Sequence, residues 1–378
     1  MLTDTLLDKV NTNFGDYKKT TVRNLLVIAC SMLVKETVCL NRLKGIMGNF
    51  TGKTEVSPLS HYKRLIRFFD KHAFSPLWLQ LLGYALSAFD EISEYIIIDG
   101  TSWKWRGKWH HYLTLGIVVY GVCIPIFWID LRKQGTSNFK ERRNLMKKAL
   151  RFYSLSGKIL LGDREYIGID WFKLLIDNDL NFVIRLRYKA YKTVFNECEG
   201  LDYEKIIAKV LRSKIPHKTI KKRVQIEGQT YFFIFCKNHK PNAKEPILIL
   251  ITNLDEPKYV SVERYGVRWK IEHCFKNLKS NGFDLECMNL KGDARRNLLM
   301  AIMVFAYVLS IVEGFKTYAT SRVVTYAEGR VQKAESLFRH GIDRLCPKVF
   351  SLPLFLVYLV EHFRIIDSQR IYEKISFV

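Results

Sequence analysis

Residues 1 to about 90 carry their apolar positions at helical spacing. The stretch TTVRNLLVIACSMLVKETVCLNRLKGIMGNF predicts a helical region that breaks at Gly48, Asn49 and Gly52. A further helix is predicted through SHYKRLIRFFDKH, with Ser57 as its N-cap and Pro58 in its first turn. This helix, turn, helix pattern places Ser60, His61, Lys63, Arg64 and Arg67 near one exposed surface. Such a surface suits a helix that grips phosphates, and it equally suits a solvated basic face on a packing helix.

From about residue 94 the period shortens to that of strands, in EYIIID, HYLTLGIVVYG and VCIPIFWIDL. A charged helix, NFKERRNLMKKALRFY, then leads into the apolar strand GKILLGD, and the helix GIDWFKLLIDND leads into FVIRLR. Three meandering strands, a crossover helix and another buried strand predict a mixed α/β sheet flanked by helices. Residues 183 to 254 read as a separate, inserted strand-rich block, with KRVQIEGQTYFFIFCKN as a hairpin turning near Glu227 and Gly228. From about 258 onward the pattern is helical again. The changes of period place borders at 1–90 (helical), 91–182 (first part of a core), 183–256 (insertion), 257–295 (second part of the core) and 296–378 (a helical C-terminal region). The apolar run from Leu298 to Val312 covers about fifteen residues against the roughly 20 that a membrane span needs, so a buried helix and no membrane association are expected.

Composition sharpens the choice of partner. The chain has 378 residues, 48% hydrophobic and 13% aromatic, which predicts two or three folded domains. Sixty Lys+Arg against 37 Asp+Glu leave a formal charge of +23, spread along the chain, and such a field favours a polyanion. The eight cysteines include no CxxC pair and read as reduced core thiols of a cytosolic protein. His273 beside Cys274 has no second Cys/His pair at ligand spacing, which argues against zinc. MLTDTLLDKV lacks the features of a secretion signal, so a cytoplasmic, nucleoid-associated protein is expected.

Candidate chemistry lies with three carboxylates. Asp99 and Asp163 each end an apolar strand, so both can project from one edge of a sheet. An isolated Asp in such a place is ordinarily a turn or cap residue. Glu272 comes with company, because Tyr265, Arg268, Glu272 and Lys279 fall within a stripe roughly 60° wide on one continuous helix. A carboxylate with Arg, Lys and Tyr around it suits a phosphodiester site, and a surface helix laced by charge pairs would show the same spacing. Asp130, Glu165 and Glu263 compete for the acidic role and rank below the three. Trp103, Lys104, Trp105, Arg106 and Lys108 form an aromatic and basic cluster suited to DNA backbone contact or to a solvated hairpin tip.

Residues 265 to 279 match without a gap the order Tyr, two residues, Arg, three residues, Glu, six residues, Lys. In this the chain resembles the bacterial insertion-sequence transposases of the DDE type, the IS-four type group. IIIDGTSW at 96 to 103 resembles the family's first-aspartate block and LLGDREY at 160 to 166 its second, so the resemblance covers about 95 to 290. It implies an RNase H-like core interrupted by a strand-rich insertion, with helical N- and C-terminal regions. It also implies that Asp99, Asp163 and Glu272 hold Mg²⁺ or Mn²⁺, two ions in all, and that Tyr265, Arg268 and Lys279 grip the DNA end. Further DNA contacts are expected from Lys104, Arg164, Lys63, Arg64 and Arg67. The implied activity is cut-and-paste transposition: binding of terminal inverted repeats, metal-dependent strand cleavage, and transfer of the 3′ hydroxyl into double-stranded target DNA by a synaptic homodimer. An RNase H-like nuclease without strand transfer and a retired transposase kept for binding are the alternatives. One departure concerns the tryptophan that members of this group use to hold a flipped base. No Trp lies between 172 and 268, which leaves Tyr231, Phe232 or Phe233 as stacking candidates that would serve the core equally well.

Overall fold

A computed structural model describes residues 2–15, 17–187, 201–215, 217–238 and 245–363. The chain clusters into two compact units, one of Ile92–Ser102 and Lys108–His273, the other of Met1–Glu91, Trp103–Gly107 and Cys274–Val378.

The first unit is built on one eight-stranded sheet. Its strands are β1 (Tyr95–Trp105), β2 (Lys108–Val119), β3 (Val122–Asp130), β4 (Ile159–Gly162), β5 (Asn181–Arg185), β6 (Thr219–Ile226), β7 (Gln229–Lys237) and β8 (Ile247–Thr252). They lie in the order β3-β2-β1-β4-β5-β8-β7-β6. β1, β4 and β5 are parallel neighbours, whereas β5, β8, β7 and β6 pair antiparallel. Parallel neighbours need crossovers, and the helices Phe139–Ala149 and Ile169–Asp177 supply them. The first is nucleated by a complete capping box between Asn138 and Glu141. β4 is buried at all four positions, as a central strand covered on both faces must be. The architecture is mixed α/β, a large mixed sheet flanked by helices.

β8 pairs directly with β5, so the strands after residue 183 extend this sheet. β6 and β7 form the expected hairpin, turning at Glu227 and Gly228 with φ of 49° and 78°, the paired left-handed conformation that matches strand twist. The strand-rich block also contains a helix that the strand reading did not foresee, Tyr203–Arg212, capped by the Asp202 side chain and buried at Tyr203, Ile206, Ile207 and Val210. Tyr231, Phe232 and Phe233 are all buried, and Tyr231 packs against Phe172 and Phe182. They belong to the core and present no stacking surface for a base.

The second unit is mainly helical. Its centre is the helix Asp293–Thr317, buried along most of its length against the helices Lys19–Lys35, Pro58–His72, Leu77–Leu86 and Leu337–Leu345. By length and composition this helix could cross a membrane, more than the run of fifteen apolar residues suggests, yet 89% of its most apolar window is buried inside the protein. Gly341 lies so close to it that an added Cβ would sit 1.8 Å from the Ser310 carbonyl oxygen. The region after residue 296 is not wholly helical: β9 (Val323–Thr325) and β10 (Val331–Lys333) form a small antiparallel hairpin too short to show a strand period. The helix Pro58–His72 starts as expected, with the Ser57 side chain accepting from the Ser60 N–H. His61 is not on its exposed face, because His61, Leu65, Phe68 and His72 form the buried stripe at spacings of four, three and four. Cys30, Cys123, Cys236 and Cys274 are buried thiols, Cys39, Cys287 and Cys346 are half-buried ones, and Cys198 lies outside the described residues.

Candidate active site

Register brings the first two carboxylates together. Ile98 pairs with Gly162 and Gly162 with Ile184, so the residues that follow, Asp99, Asp163 and Arg185, stand side by side at one edge of the sheet. Neighbouring strands lie about 4.8 Å apart, which sets the spacing of these three backbones. Gly100 permits a close approach, since a Cβ there would fall 2.4 Å from the His111 ring, and its N–H donates to Asp99 Oδ1 at 2.8 Å.

The remaining groups arrive from the segment after β8, and the continuous helix expected there is broken. One helix runs Lys258–Gly266 and another Trp269–Leu278, joined by a turn at Val267 and Arg268. Tyr265 donates its hydroxyl to Asp163 Oδ1 at 3.2 Å. Arg268, almost wholly buried, donates to Glu272 Oε1 at 2.6 Å and to Asp99 Oδ2 at 3.4 Å. One guanidinium therefore joins the first and third carboxylates, and one phenol reaches the second.

Burial pushes the Asp99 carboxyl up to about 7, and the charges of Asp163 and Glu272 push the same way against the Gly100 N–H and Arg268. Burial, with Asp163 beside it, also raises the Tyr265 phenol, which stays a proton donor. Three carboxylates of which one resists ionisation form a donor set that fits a hard divalent cation, whose charge would remove the cost of ionising Asp99. In the arrangement described, Arg268 supplies the positive charge instead. Among the described residues no group of three or more His, Cys, Asp or Glu side chains is drawn together tightly enough to enclose an ion.

Five expected site residues thus converge: Asp99, Asp163, Tyr265, Arg268 and Glu272. Lys279 follows the end of its helix, falls in the helical unit, pairs with Glu286 at 3.0 Å and lies over the Trp103 ring at 5.5 Å. Lys104, Lys63 and Arg67 are exposed and Arg64 half-exposed, all in the helical unit. Arg164 is engaged with Glu245 at 3.2 Å. The competing carboxylates serve local structure: Asp130 accepts from His110 and from the His111 and Arg132 backbones, and Glu165 holds the Ser137 backbone and hydroxyl. Sequence reasoning missed Arg185, which stands beside Asp163 and pairs with Glu245 at 2.7 Å. Its signal was the same as that of the aspartates, a charged residue closing an apolar strand.

The model of a family described as "Transposase DDE domain" matches residues 92–309, more than half of the chain. No curated protein matches the sequence. Among solved structures, one titled "Cryo-EM structure of piggyBac transposase synaptic complex with hairpin DNA (SNHP)" is similar at 13% identity and a TM-score of 0.47, over 95% of this chain and 77% of that one. That likeness carries no argument about this chain.

Proposed function

The chain belongs to the transposase DDE domain family, and from that premise we propose that it catalyses cut-and-paste transposition of an insertion sequence. It binds the element's terminal inverted repeats, cleaves a strand, and joins the freed 3′ hydroxyl to target DNA. The observation that carries this reading is the meeting of Asp99, where the β1–β4 pairing ends, and Asp163, just after β4, with Tyr265, Arg268 and Glu272. An RNase H-like core is supported by the order β3-β2-β1-β4-β5, three consecutive strands followed by β4 parallel to β1 and β5 parallel to β4.

Asp99, Asp163 and Glu272 would hold Mg²⁺ or Mn²⁺, two ions at work, which activate water and steady the attacking and leaving oxygens of an in-line displacement. Arg268 leaves its carboxylate partners for phosphate oxygens, the planar bidentate match for which guanidinium is suited. Tyr265 holds Asp163 in place and keeps its proton while doing so. The +23 charge draws the polyanion in, and a cytoplasmic, nucleoid-associated homodimer would bring two DNA ends to two such sites.

The test incubates the full chain with terminal-repeat duplex, a supercoiled plasmid and Mg²⁺. Joined repeat–plasmid products support the proposal. Cleavage without joining points to a nuclease, and binding without cleavage to a retired transposase; either result overturns it.

A further inference from the structure

Far along the sheet from the carboxylates lies a feature that the site does not use. The helix Tyr203–Arg212, the edge strand β6 and the start of the helix Lys258–Gly266 enclose a groove of about 520 Å³. Its walls carry Lys205, Lys209, Lys218, Lys221, Lys222 and Lys258 against one carboxylate, Asp202, over an apolar floor of Ile206 and Ile220. Two of these lysines have their charge answered: Lys205 pairs with Asp202 and Lys221 with Asp255. For Lys209, Lys218, Lys222 and Lys258 no ion pair is formed among the described residues, and three of the four are exposed. Like charges crowded this way repel one another, and a row of anions relieves that cost.

We propose that this lysine-lined groove is a second DNA-binding site, which holds the phosphodiester backbone of the duplex whose end lies at the carboxylates. The inference rests on the function proposed above. Distance favours one duplex serving both places. Lys258 at the groove and Tyr265 on Asp163 share one helix seven residues apart, about 10 Å of rise. Across the sheet, β6 stands four strand spacings from β4, about 19 Å. At about 3.4 Å per base pair, those spans correspond to roughly three to six base pairs inward from the reacting phosphate. Lysines suit that place because a point charge follows any backbone, whereas reading bases would call for fixed, forked donors.

The test uses the full chain without divalent cation, so that DNA binds and is not cut. Binding of terminal-repeat duplex is titrated over a range of KCl for the parent and for Lys209→Gln/Lys218→Gln/Lys222→Gln. The expected result is a log–log salt slope shallower by about 3. A second measurement needs no variant. Amine acetylation read by mass spectrometry should show Lys209, Lys218 and Lys222 protected by bound duplex and not by inorganic triphosphate. Three lysines that stay reactive under saturating duplex, or an unchanged slope in a folded variant, overturn the groove alone while cleavage by the parent stands. Protection by triphosphate and not by duplex would make the groove a small-anion site and overturn it as well. A parent that binds no DNA at all removes both the groove and the function proposed above.

Discussion

Burial acts on Glu313 in the helical unit and on Asp99 in the sheet unit, and the two carboxylates behave in opposite ways. In the helical unit, burial alone would raise the Glu313 carboxyl, but Lys348 and Lys316 outweigh it and hold Glu313 below its ordinary range. Lys348 donates to it at 2.6 Å and Lys316 at 3.4 Å. In the sheet unit, burial of Asp99 is compounded by two further carboxylates and only partly answered by Arg268. Glu313 is charged and satisfied within its own unit, whereas Asp99 is short of positive charge. Three acids beside Arg268 and Arg185 leave a local shortage of positive charge, which fits the function proposed above.

The sharpest way to break this contrast is to remove carboxylates from the short side. Glu272→Gln and Asp163→Ala should each lower strand cleavage by on the order of 10²–10³-fold or more while DNA binding persists, checked by single-turnover cleavage and by titration. Equal cleavage in either variant would make the cluster structural. Next in size, Lys348→Met leaves Glu313 with one partner and should cost about 2 kcal/mol in urea unfolding, less than the loss of a fully buried pair because Lys348 is half-exposed. Undiminished stability would mean that Glu313 is not held by its lysines.

The last effect has the opposite sign. Asp99→Asn should stabilise the metal-free protein at pH 8, because only the parent must ionise a carboxyl whose pKa is raised. The sign follows from linkage. Asp99 has a raised pKa in the folded state, so its contribution is fully present below its ordinary value of 3.8 and is lost as pH rises through about 7. The difference between variant and parent should therefore vanish near pH 4 and grow towards pH 7. Glu313 runs the other way: its contribution is present above its ordinary value of 4.5 and is lost as pH falls through its depressed one. Thermal melts of Asp99→Asn, Lys348→Met and parent across pH 2–8 separate the two slopes, and parallel curves would abolish the distinction.

How much of this was legible depended on period. β4 and β5 are apolar runs closed by a charge, and the end of β4 announced Asp163 before any pairing was known; Asp99 was expected to end its strand, but β1 continues past it to Trp105, because the polar, aromatic stretch after it still pairs as a strand. Glu272 was legible from its spacing to Tyr265 and Arg268, though for an incomplete reason. A stripe on one continuous helix assumes no break, and the turn at Val267 and Arg268 separates the two helices, the second of which ends at Leu278, before Lys279. The helix Tyr203–Arg212 had its own signal in Asp202 and the apolar positions 203, 206, 207 and 210, which the strands around it obscured. His61 was misplaced because a polar imidazole was counted with the solvent face when its spacing to Leu65 and Phe68 put it on the other. Which strand neighbours which, and so the standing of Arg185 beside Asp163, is a long-range fact that no local pattern carries.

Those long-range pairings set a timetable. Asp99 and Asp163 are brought abreast once β1 and β4 exist, but Glu272 follows β8, which must first seat against β5. On the function proposed above, a polypeptide emerging from the ribosome would have two of its acids made well before the third, and it would gain activity towards nucleic acid only when the segment after β8 docks.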